Sequence, residues 1–391
     1  MEYRKLGKTN EKVSILGLGT MRLPTLDNSN SKIDKEKASE LLSYGIDKGI
    51  NLIDTGYSFH SKEVHGGPGT SEPFVGEFLE NGYRDKVYLQ TKCPSWLIHS
   101  REDLDNILDE QLKRLKTDHI DNYLLHSVNN ENWENYKNAN VTEFLDDALN
   151  DGRVKHVGFS THGTFETLLI LTTDYDKWEI GLTQMNYLDE TYQTGIEGLD
   201  FLSMMDIGTE IMEPLRGGRL VENIPENIMK LWDSAEEKRT PVEWAFQYLW
   251  DMENVDCVLS GMNSLEHLKT NIEIASRSKP NMISENDKKL IKDVASLYKT
   301  QKGNDCNSCG YCLPCPNGVN IPHCFREYNI GKILNNPKAS AMQYFTYFED
   351  SALAHNCTHC GDCNTLCPQG INIAKEMKKV ERFFGDSFHH F

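Results

Sequence analysis

Cysteine is distributed very unevenly along this chain, and the pattern limits what its last quarter can fold into. Of eleven cysteines in 391 residues, only Cys93 and Cys257 precede residue 300. The others form two motifs, Cys306-x2-Cys309-x2-Cys312-x2-Cys315-Pro316 and Cys357-x2-Cys360-x2-Cys363-x3-Cys367-Pro368, with one further cysteine, Cys324, between them. Because cytosolic thiols stay reduced, such clustering indicates metal ligands rather than disulfides. A segment of about 90 residues is small for a self-sufficient core, so we expect its metal to stabilise it.

The spacing within the two motifs is typical of iron–sulfur proteins. In two-cluster ferredoxins, three cysteines spaced by two residues bind one cluster, and the cysteine before proline binds the other. By similarity with them, one [4Fe–4S] cluster is held by Cys306, Cys309, Cys312 and Cys367, and the second by Cys357, Cys360, Cys363 and Cys315. The first motif is one residue short before its last cysteine, so Cys324 is an alternative to Cys315. Two structural zinc sites are the other interpretation, but zinc sites rarely use the third cysteine or the Cys-Pro ending.

The stretch between the motifs predicts the kind of module that carries them. Cys315 and Cys357 are separated by 41 residues, far more than a compact bacterial ferredoxin uses. The insert at 325–354 is rich in helix formers and aromatic residues. After a polar linker at 299–304, we therefore predict a mostly helical ferredoxin-like iron–sulfur domain at 299–391. It is similar to the module of fumarate reductase iron–sulfur subunits.

The preceding residues, 1–298, repeat a different pattern, in which short β-branched apolar runs alternate with helical periodicity. Eight such runs are present: Val13–Leu18, Ile50–Asp54, Val87–Lys92, Ile120–His126, Val154–Ser160, Leu182–Tyr187, Ile207–Glu213 and Val255–Gly261. Helix starts are marked by a capping-box pattern at Ser100 and by Pro241 after Thr240. Eight strands alternating with helices predict an α/β fold, a (β/α)8 TIM barrel. A doubly wound sheet is the alternative, but Gly17-Leu18-Gly19 lacks the third glycine of a dinucleotide fingerprint.

The charge balance excludes two classes of partner. With 41 Lys and Arg against 59 Asp and Glu, the formal net charge is -18. So acidic a chain does not suit nucleic acid or an anionic membrane, because both are bound through basic residues. No uncharged segment reaches the ~18 residues that suggest a membrane span, and the first residues lack the apolar core of a signal peptide. We expect a cytoplasmic protein.

Titratable residues end three consecutive predicted strands. These residues are Asp54, Lys92 and His126. Each one alone is more often a helix cap or a solvated side chain, but three at equivalent positions indicate a site, because active sites of TIM barrels lie at the carboxyl ends of the strands. A lysine beside a carboxylate tunes a neighbouring proton donor, and a histidine orients a carbonyl group.

These residues, with several motifs around them, resemble the aldo-keto reductase family. The motifs include Asn51-Leu52-Ile53-Asp54-Thr55, Thr91-Lys92, Leu124-Leu125-His126, Val157-Gly158-Phe159-Ser160, Gln184-Met185-Asn186-Tyr187 and Glu213-Pro214-Leu215. The resemblance implies reduction of a small aldehyde or ketone with NADPH or NADH, or the reverse reaction, with catalytic roles for Asp54, Lys92 and His126. It also implies that Gln184 lies under the nicotinamide ring and that Ser160 and Asn186 lie near its carboxamide. The remaining cofactor contacts implied are Glu213, Leu215, Ser260, Gly261 and Asn271.

The fourth catalytic position departs from the family pattern. The family donates its proton from a tyrosine five residues after the aspartate, and this chain has Phe59 there. A phenyl ring has no proton to donate. We predict that Tyr57 replaces the missing proton donor, with His60 as the alternative. The non-catalytic interpretation is that Tyr57 only packs over the mouth of the barrel. Substrate choice is expected to lie in the loops at 60–70 and 188–199.

Coenzyme and partner remain open in the sequence. Members of the family that bind NADP place basic residues after the last strand, where this chain has Glu266 and, further on, Lys269. The carboxylate weakens the case for NADP and leaves NADH, or a bound flavin in the same cleft, as alternatives. Three functions follow. The first is an NAD(P)H-dependent carbonyl reductase whose clusters exchange electrons with a ferredoxin or another redox protein. The second is a flavin-containing electron-transfer enzyme, and the third is an iron–sulfur interaction protein without catalysis.

Overall fold

The computed structural model describes residues 1–27, 29–62, 67–306, 308–346 and 348–385. These residues pack as two compact units. The first comprises Met1–Leu215 and Val242–Ser284, and the second comprises Arg216–Pro241 and the chain from Glu285 onward. The predicted domain boundary at 298 stays a prediction. No helix in the described ranges is both long and apolar enough to cross a bilayer.

The first unit is built around eight parallel strands that close into a barrel. Two short strands, β1 (Tyr3–Lys5) and β2 (Lys12–Ser14), precede the barrel. The eight barrel strands are β3 (Leu16–Gly19), β4 (Leu52–Asp54), β5 (Tyr88–Pro94), β6 (Ile120–Val128), β7 (Val154–Thr161), β8 (Ile180–Gln184), β9 (Gly208–Met212) and β10 (Cys257–Ser260). Strands β3 to β10 pair in chain order, and β10 closes the ring against β3. Each predicted apolar run overlaps one barrel strand, so the prediction of a TIM barrel is confirmed.

Helices follow the strands of the first unit, and α8 and α11 to α14 belong to the second unit. They are α1 (Lys35–Asp47), α2 (Ser71–Leu79), α3 (Arg101–Leu115), α4 (Asn130–Asn138), α5 (Val141–Asn150), α6 (Phe165–Asp174), α7 (Gly195–Met204), α8 (Glu226–Trp232), α9 (Pro241–Trp250), α10 (Leu265–Arg277), α11 (Glu285–Thr300), α12 (Ile321–Ile333), α13 (Pro337–Thr346) and α14 (Ile373–Gly385). The capping box predicted before α3 is present, since the Ser100 hydroxyl accepts from the Asp103 N–H and the Asp103 carboxylate accepts from the Ser100 N–H. Helix α9 begins at Pro241, as predicted.

A short antiparallel hairpin of β1 and β2 precedes the barrel and was not predicted. The first apolar run divides at Ile15, so that Val13 belongs to β2 and Leu16 begins β3. Leu6 and Val13 are fully buried and join the apolar residues inside the barrel. The Lys8 N–H donates to the Asp206 carbonyl just before β9, at 2.9 Å. The hairpin therefore closes the end of the barrel where the strands begin.

The second unit is helical, and its described residues contain no strand. Helices α12, α13 and α14 enclose a core in which Tyr344 stacks on Phe384 with ring centroids 3.9 Å apart. Five of the cysteines pack against that core: Cys306, Cys315, Cys357, Cys363 and Cys367. The predicted mostly helical C-terminal domain is confirmed.

Candidate active site and cluster-binding cysteines

A buried ion pair lies where strands β4 and β5 end. The Lys92 ammonium donates to Asp54 Oδ1 and, at 2.8 Å, to the Thr55 carbonyl. The side chains of Lys92 and Asp54 are only 3% and 7% exposed. The adjacent ends of parallel strands bring the two residues together, as the sequence predicted. Each charge compensates the other, so removal of either would leave an uncompensated charge inside the protein.

A second partner of the Asp54 carboxylate, Gln90, was missed by the sequence analysis. Gln90 Nε2 donates to Asp54 Oδ1 at 3.0 Å and to Glu210 Oε2 at 2.7 Å. Glu210 is completely buried in the middle of β9. The sequence signal for Glu210 is a carboxylate within the apolar run at 207–213, where a strand inside a barrel normally carries aliphatic residues.

His126 lies beside this ion pair at the end of β6. Its ring is 5.3 Å from the Trp96 ring and 6.0 Å from the Phe59 ring, centroid to centroid. Burial, with the positive charge of Lys92, lowers the pKa of His126 to about 3. The imidazole is therefore neutral at pH 7, and such a ring donates from one nitrogen and accepts at the other. Its Nδ1 is buried and has no hydrogen-bond partner among the described residues.

Phe59 occupies the space beside Lys92 and His126. The Lys92 Nζ lies 5.0 Å from the centroid of the Phe59 ring, a cation–π contact. The backbone around Phe59 is fixed, because its carbonyl accepts from the Ser71 N–H at 3.2 Å. A Cβ on Gly69 would lie 1.9 Å from that same carbonyl oxygen, so this close approach needs glycine.

Tyr57 and His60 are not brought together with Lys92. The Tyr57 hydroxyl donates to Glu110 Oε2 on α3 at 3.0 Å, and burial with this hydrogen bond raises the pKa of Tyr57 to about 12. The ring nitrogens of His60 lie 2.6 Å and 3.0 Å from the carbonyl oxygens of Asn30 and Thr20. Both side chains are therefore engaged in contacts that hold the loop itself.

Arg114 of α3 fixes the two ends of this loop. Its guanidinium donates to the carbonyls of Tyr57 and Gly69, at 3.3 Å and 2.6 Å. The same guanidinium donates to the fully buried Glu72 at 2.8 Å. The Phe59 side chain therefore projects from a loop that Arg114 fixes at both ends. Of the predicted substrate loop at 60–70, residues 63–66 lie outside the described ranges.

The predicted nicotinamide-binding residues gather at the ends of β7 and β8. Gln184 and Asn186 each donate to Asp189 Oδ2 at 2.8 Å. Asp189 was missed by sequence reasoning, although an Asn-x-x-Asp turn directly after a strand is a signal for it. Gln184 Oε1 is buried without a partner in the described structure. An acceptor of this kind fits the amide N–H of a nicotinamide carboxamide. Ser160 Oγ accepts from the Ser127 N–H at 2.9 Å.

The remaining predicted cofactor residues follow β9 and β10. Glu213 is exposed and Leu215 half-buried after β9. At the end of β10, Asn271 Nδ2 donates to Ser260 Oγ at 3.4 Å. A Cβ on Gly261 would lie 3.3 Å from carbons of the Arg22 side chain, an exposed cation that the sequence analysis missed.

The charged residues of α10 bear on coenzyme choice. Glu266 is exposed in the first turn of this helix. The Lys269 ammonium lies 5.4 Å from the centroid of the Tyr44 ring. The exposed Lys269 therefore faces helix α1, on which Tyr44 lies.

In the second unit, four of the predicted ligands line one cavity. They are Cys306, Cys309, Cys312 and Cys367, the set predicted for the first cluster. The other walls are mainly apolar, with Gly310 and the polar Gln369 among them: Ile321, Pro322, Phe325, Pro368, Ile371 and Ile373. Within the described ranges, no three His, Cys, Asp or Glu side chains meet closely enough to hold a single ion. Four thiols around a mainly apolar cavity are the soft ligands that an iron–sulfur cluster uses.

The cysteines predicted for the second cluster are also neighbours. The Cys357 thiol lies within electrostatic range of Cys315 and Cys360, and the Cys363 thiol within range of Cys357, Cys360 and also Cys312 of the other set. Cys324 is close to this group but fully buried, and its thiol donates to the Tyr344 hydroxyl at 3.8 Å. Burial raises the pKa of Cys324 to about 12.

Two known sequence families match this chain. The aldo/keto reductase family matches residues 15–290, and the 4Fe-4S dicluster domain matches residues 305–371. "Protein tas" of Escherichia coli is 26% identical, covering 70% of this chain and 92% of that protein. The NADH-specific methylglyoxal reductase of Escherichia coli is 23% identical, covering 76% of this chain and 100% of that protein. Aldo-keto reductase AKR11C1 from Bacillus halodurans, in its holo form, shares the fold with a TM-score of 0.61 at 22% identity, covering 75% and 96% of the two chains.

Proposed function

The chain belongs to the aldo/keto reductase family and carries a C-terminal 4Fe-4S dicluster domain, and from this premise we propose a specific reaction. The protein is an oxidoreductase. In our proposal the barrel reduces a small, electron-poor carbonyl compound with NADH, and two [4Fe–4S] clusters exchange single electrons with a ferredoxin or another redox protein. The need for reduced thiols suits the cytoplasm.

The observation that carries this proposal is the buried Lys92–Asp54 pair beside a neutral His126. A neutral imidazole N–H binds a carbonyl oxygen and orients it without giving up a full proton. The Lys92 ammonium stabilises the negative charge that develops on that oxygen. Asp54 keeps the ammonium in place, because it holds one of its three N–H groups.

Lys92 is also our proposed proton donor. Phe59 occupies the space next to Lys92, and the hydroxyl of Tyr57 is bonded to Glu110 instead. The nicotinamide, when bound, would supply the hydride, and the clusters would carry single electrons. Lys92 then gives its proton to the new alkoxide and regains one from solvent, which balances the reduction to an alcohol.

The missing tyrosine sets the substrate class that we propose. A weak proton donor favours carbonyl groups that stabilise the alkoxide themselves, such as an aldehyde next to a second carbonyl. One relative is named as a methylglyoxal reductase, and methylglyoxal is such a compound. We therefore propose small 2-oxoaldehydes as substrates.

We propose NADH as the coenzyme, and replacement of Glu266 tests this choice. Glu266 repels an adenosine 2′-phosphate, whereas Glu266→Arg offers it a charge-assisted hydrogen bond. The variant is expected to lower KM for NADPH by about tenfold, equal to ~1.4 kcal/mol, with little change in KM for NADH. Glu273→Arg, on the exposed face of the same helix, is the matched control. An unchanged NADPH KM in Glu266→Arg would place the 2′-phosphate elsewhere.

The experiment that tests the whole proposal begins with anaerobic purification. Iron and sulfide are measured together with any released flavin, and NADH oxidation is followed with methylglyoxal. Iron, sulfide and turnover without flavin support the proposal. Bound flavin would instead favour an electron-transfer enzyme in which the flavin splits the electron pair. Cluster content without turnover of any carbonyl compound would favour the interaction protein.

The ligand sets predict separate losses of iron. Cys309→Ser is expected to remove one cluster and leave about four irons per chain, half the content of two [4Fe–4S] clusters. Cys324→Ser is the control, because its buried thiol is not a ligand in our assignment, and about eight irons should remain. Iron and sulfide analysis with EPR of the reduced protein gives the answer. Eight irons in Cys309→Ser, or four in Cys324→Ser, would contradict the ligand sets.

A further inference from the structure

The barrel interior contains a carboxyl group that the proposed reaction does not yet use. Glu210 has no exposed surface and lies inside β9, where its partners on the two adjacent strands are Leu182 and Cys257. Its Oε2 accepts from Gln90 Nε2 at 2.7 Å. Its Oε1 is buried and has no hydrogen-bond partner among the described residues. A carboxylate would be poorly solvated there, so the neutral acid is favoured.

Gln90 connects this acid to the ion pair. Its Nε2 carries two N–H groups, and these reach Glu210 Oε2 and Asp54 Oδ1, the oxygen that also accepts from Lys92. Because both N–H groups of the Gln90 amide are bonded, the amide cannot rotate without losing one of these hydrogen bonds. The orientation of the Asp54 carboxylate, and therefore of the Lys92 ammonium, depends on this bridge.

Burial and the charged groups around Glu210 determine whether its carboxyl group is protonated. The titratable groups that face it are Asp54 and Lys92 on β4 and β5 across the barrel, Glu11 before β2 and the Cys257 thiol on the adjacent strand β10. Burial, opposed by the Gln90 hydrogen bond, raises the pKa of Glu210 to about 8. At neutral pH Glu210 is mainly protonated.

We propose that Glu210 is a positioning residue for proton donation by Lys92, acting through Gln90 and Asp54, and that its ionisation switches this donation off. The inference rests on the proposed function, because it concerns the same reduction. Neutral Glu210 leaves Asp54 as the single negative charge next to Lys92. Ionised Glu210 adds a second negative charge, which stabilises the ammonium and makes it a weaker proton donor. Carbonyl reduction is therefore expected to fall as the pH rises above 8.

The test is the pH dependence of kcat/KM in Glu210→Gln. Glutamine keeps an oxygen for the Gln90 N–H but has no charge to gain. The wild type is expected to lose about nine tenths of its activity between pH 7 and pH 9, since a group of pKa about 8 is then about 90% ionised. Glu210→Gln should keep its activity and exceed the wild type about tenfold at pH 9. The same alkaline loss in the variant would overturn the proposal.

The matched control is Glu11→Gln, which removes another buried carboxyl with a raised pKa of about 7. Glu11 has no bond to Gln90 in the described structure, so the alkaline loss of activity should persist. A second measurement needs neither turnover nor a variant that folds. Infrared titration of the wild type should show a buried protonated carboxyl that ionises near pH 8, and where Glu210→Gln folds, that signal should be missing from it. Absence of such a signal from the wild type contradicts the assignment of Glu210 even when no carbonyl substrate is turned over.

Discussion

Replacing Lys92 with methionine is expected to lower kcat/KM for NADH-dependent carbonyl reduction by about a thousandfold or more. Methionine keeps much of the length of the side chain but has no charge and no proton. The variant therefore loses the proposed proton source and the cation that faces the developing alkoxide. The comparison is made by steady-state kinetics with methylglyoxal at pH 7, where His126 is neutral in both proteins.

The loss must be separated from damage to the fold. Breaking a buried ion pair by removing one partner costs about 3–5 kcal/mol, so Lys92→Met should also unfold at lower temperature. Lys155→Met is the matched control, because Lys155 forms an ion pair with Asp121 at 2.7 Å and lies at the start of β7, at the other end of the barrel. Its turnover should stay within about twofold of wild type. Full activity in folded Lys92→Met would remove Lys92 from the mechanism.

Much of the first unit could be predicted because barrel strands carry local signals. A parallel strand buried on both sides is a continuous apolar run, and eight such runs were visible in the sequence. The positions of Asp54 and Lys92 followed from the same rule, since adjacent parallel strands end at the same edge. Their contact needed no further information than strand order.

The features that sequence reasoning missed depend on contacts between distant segments. Each strand of the β1–β2 hairpin has only three residues, and the hairpin is stabilised by Leu6 and Val13 inside the barrel. Glu210 meets Gln90 across the barrel from a strand 120 residues later. No periodicity or short motif records such a pairing.

Tyr57 shows why proximity in sequence is a weak guide on a loop. It lies two residues from Phe59, but its hydroxyl is held by Glu110 on α3. Hydrogen bonds from distant residues to the loop determine whether a side chain points into the barrel or toward a helix. The cysteine sets are the opposite case, because the spacing of two residues constrains which thiols can surround one cluster.

Phe59→Tyr is expected to raise the rate of carbonyl reduction by about a hundredfold, with the largest gain for simple aldehydes and ketones. The new hydroxyl would extend from a ring that already contacts Lys92, at 5.0 Å from ring centroid to Nζ. A nearby ammonium lowers the pKa of a phenol and so makes it a better acid. Single-turnover reduction of the carbonyl substrate by the NADH-bound enzyme measures this step directly.

Tyr57→Phe provides the reciprocal control, because it removes a hydroxyl from the same loop without touching Lys92. Its turnover should equal that of wild type, while stability falls by about 1 kcal/mol through loss of the hydrogen bond to Glu110. If Phe59→Tyr brings no gain and Tyr57→Phe loses activity, the loop must rearrange on substrate binding and Tyr57 is the donor. If neither substitution changes the rate, proton donation does not limit turnover. The slow step would then be sought in hydride transfer or in release of the products.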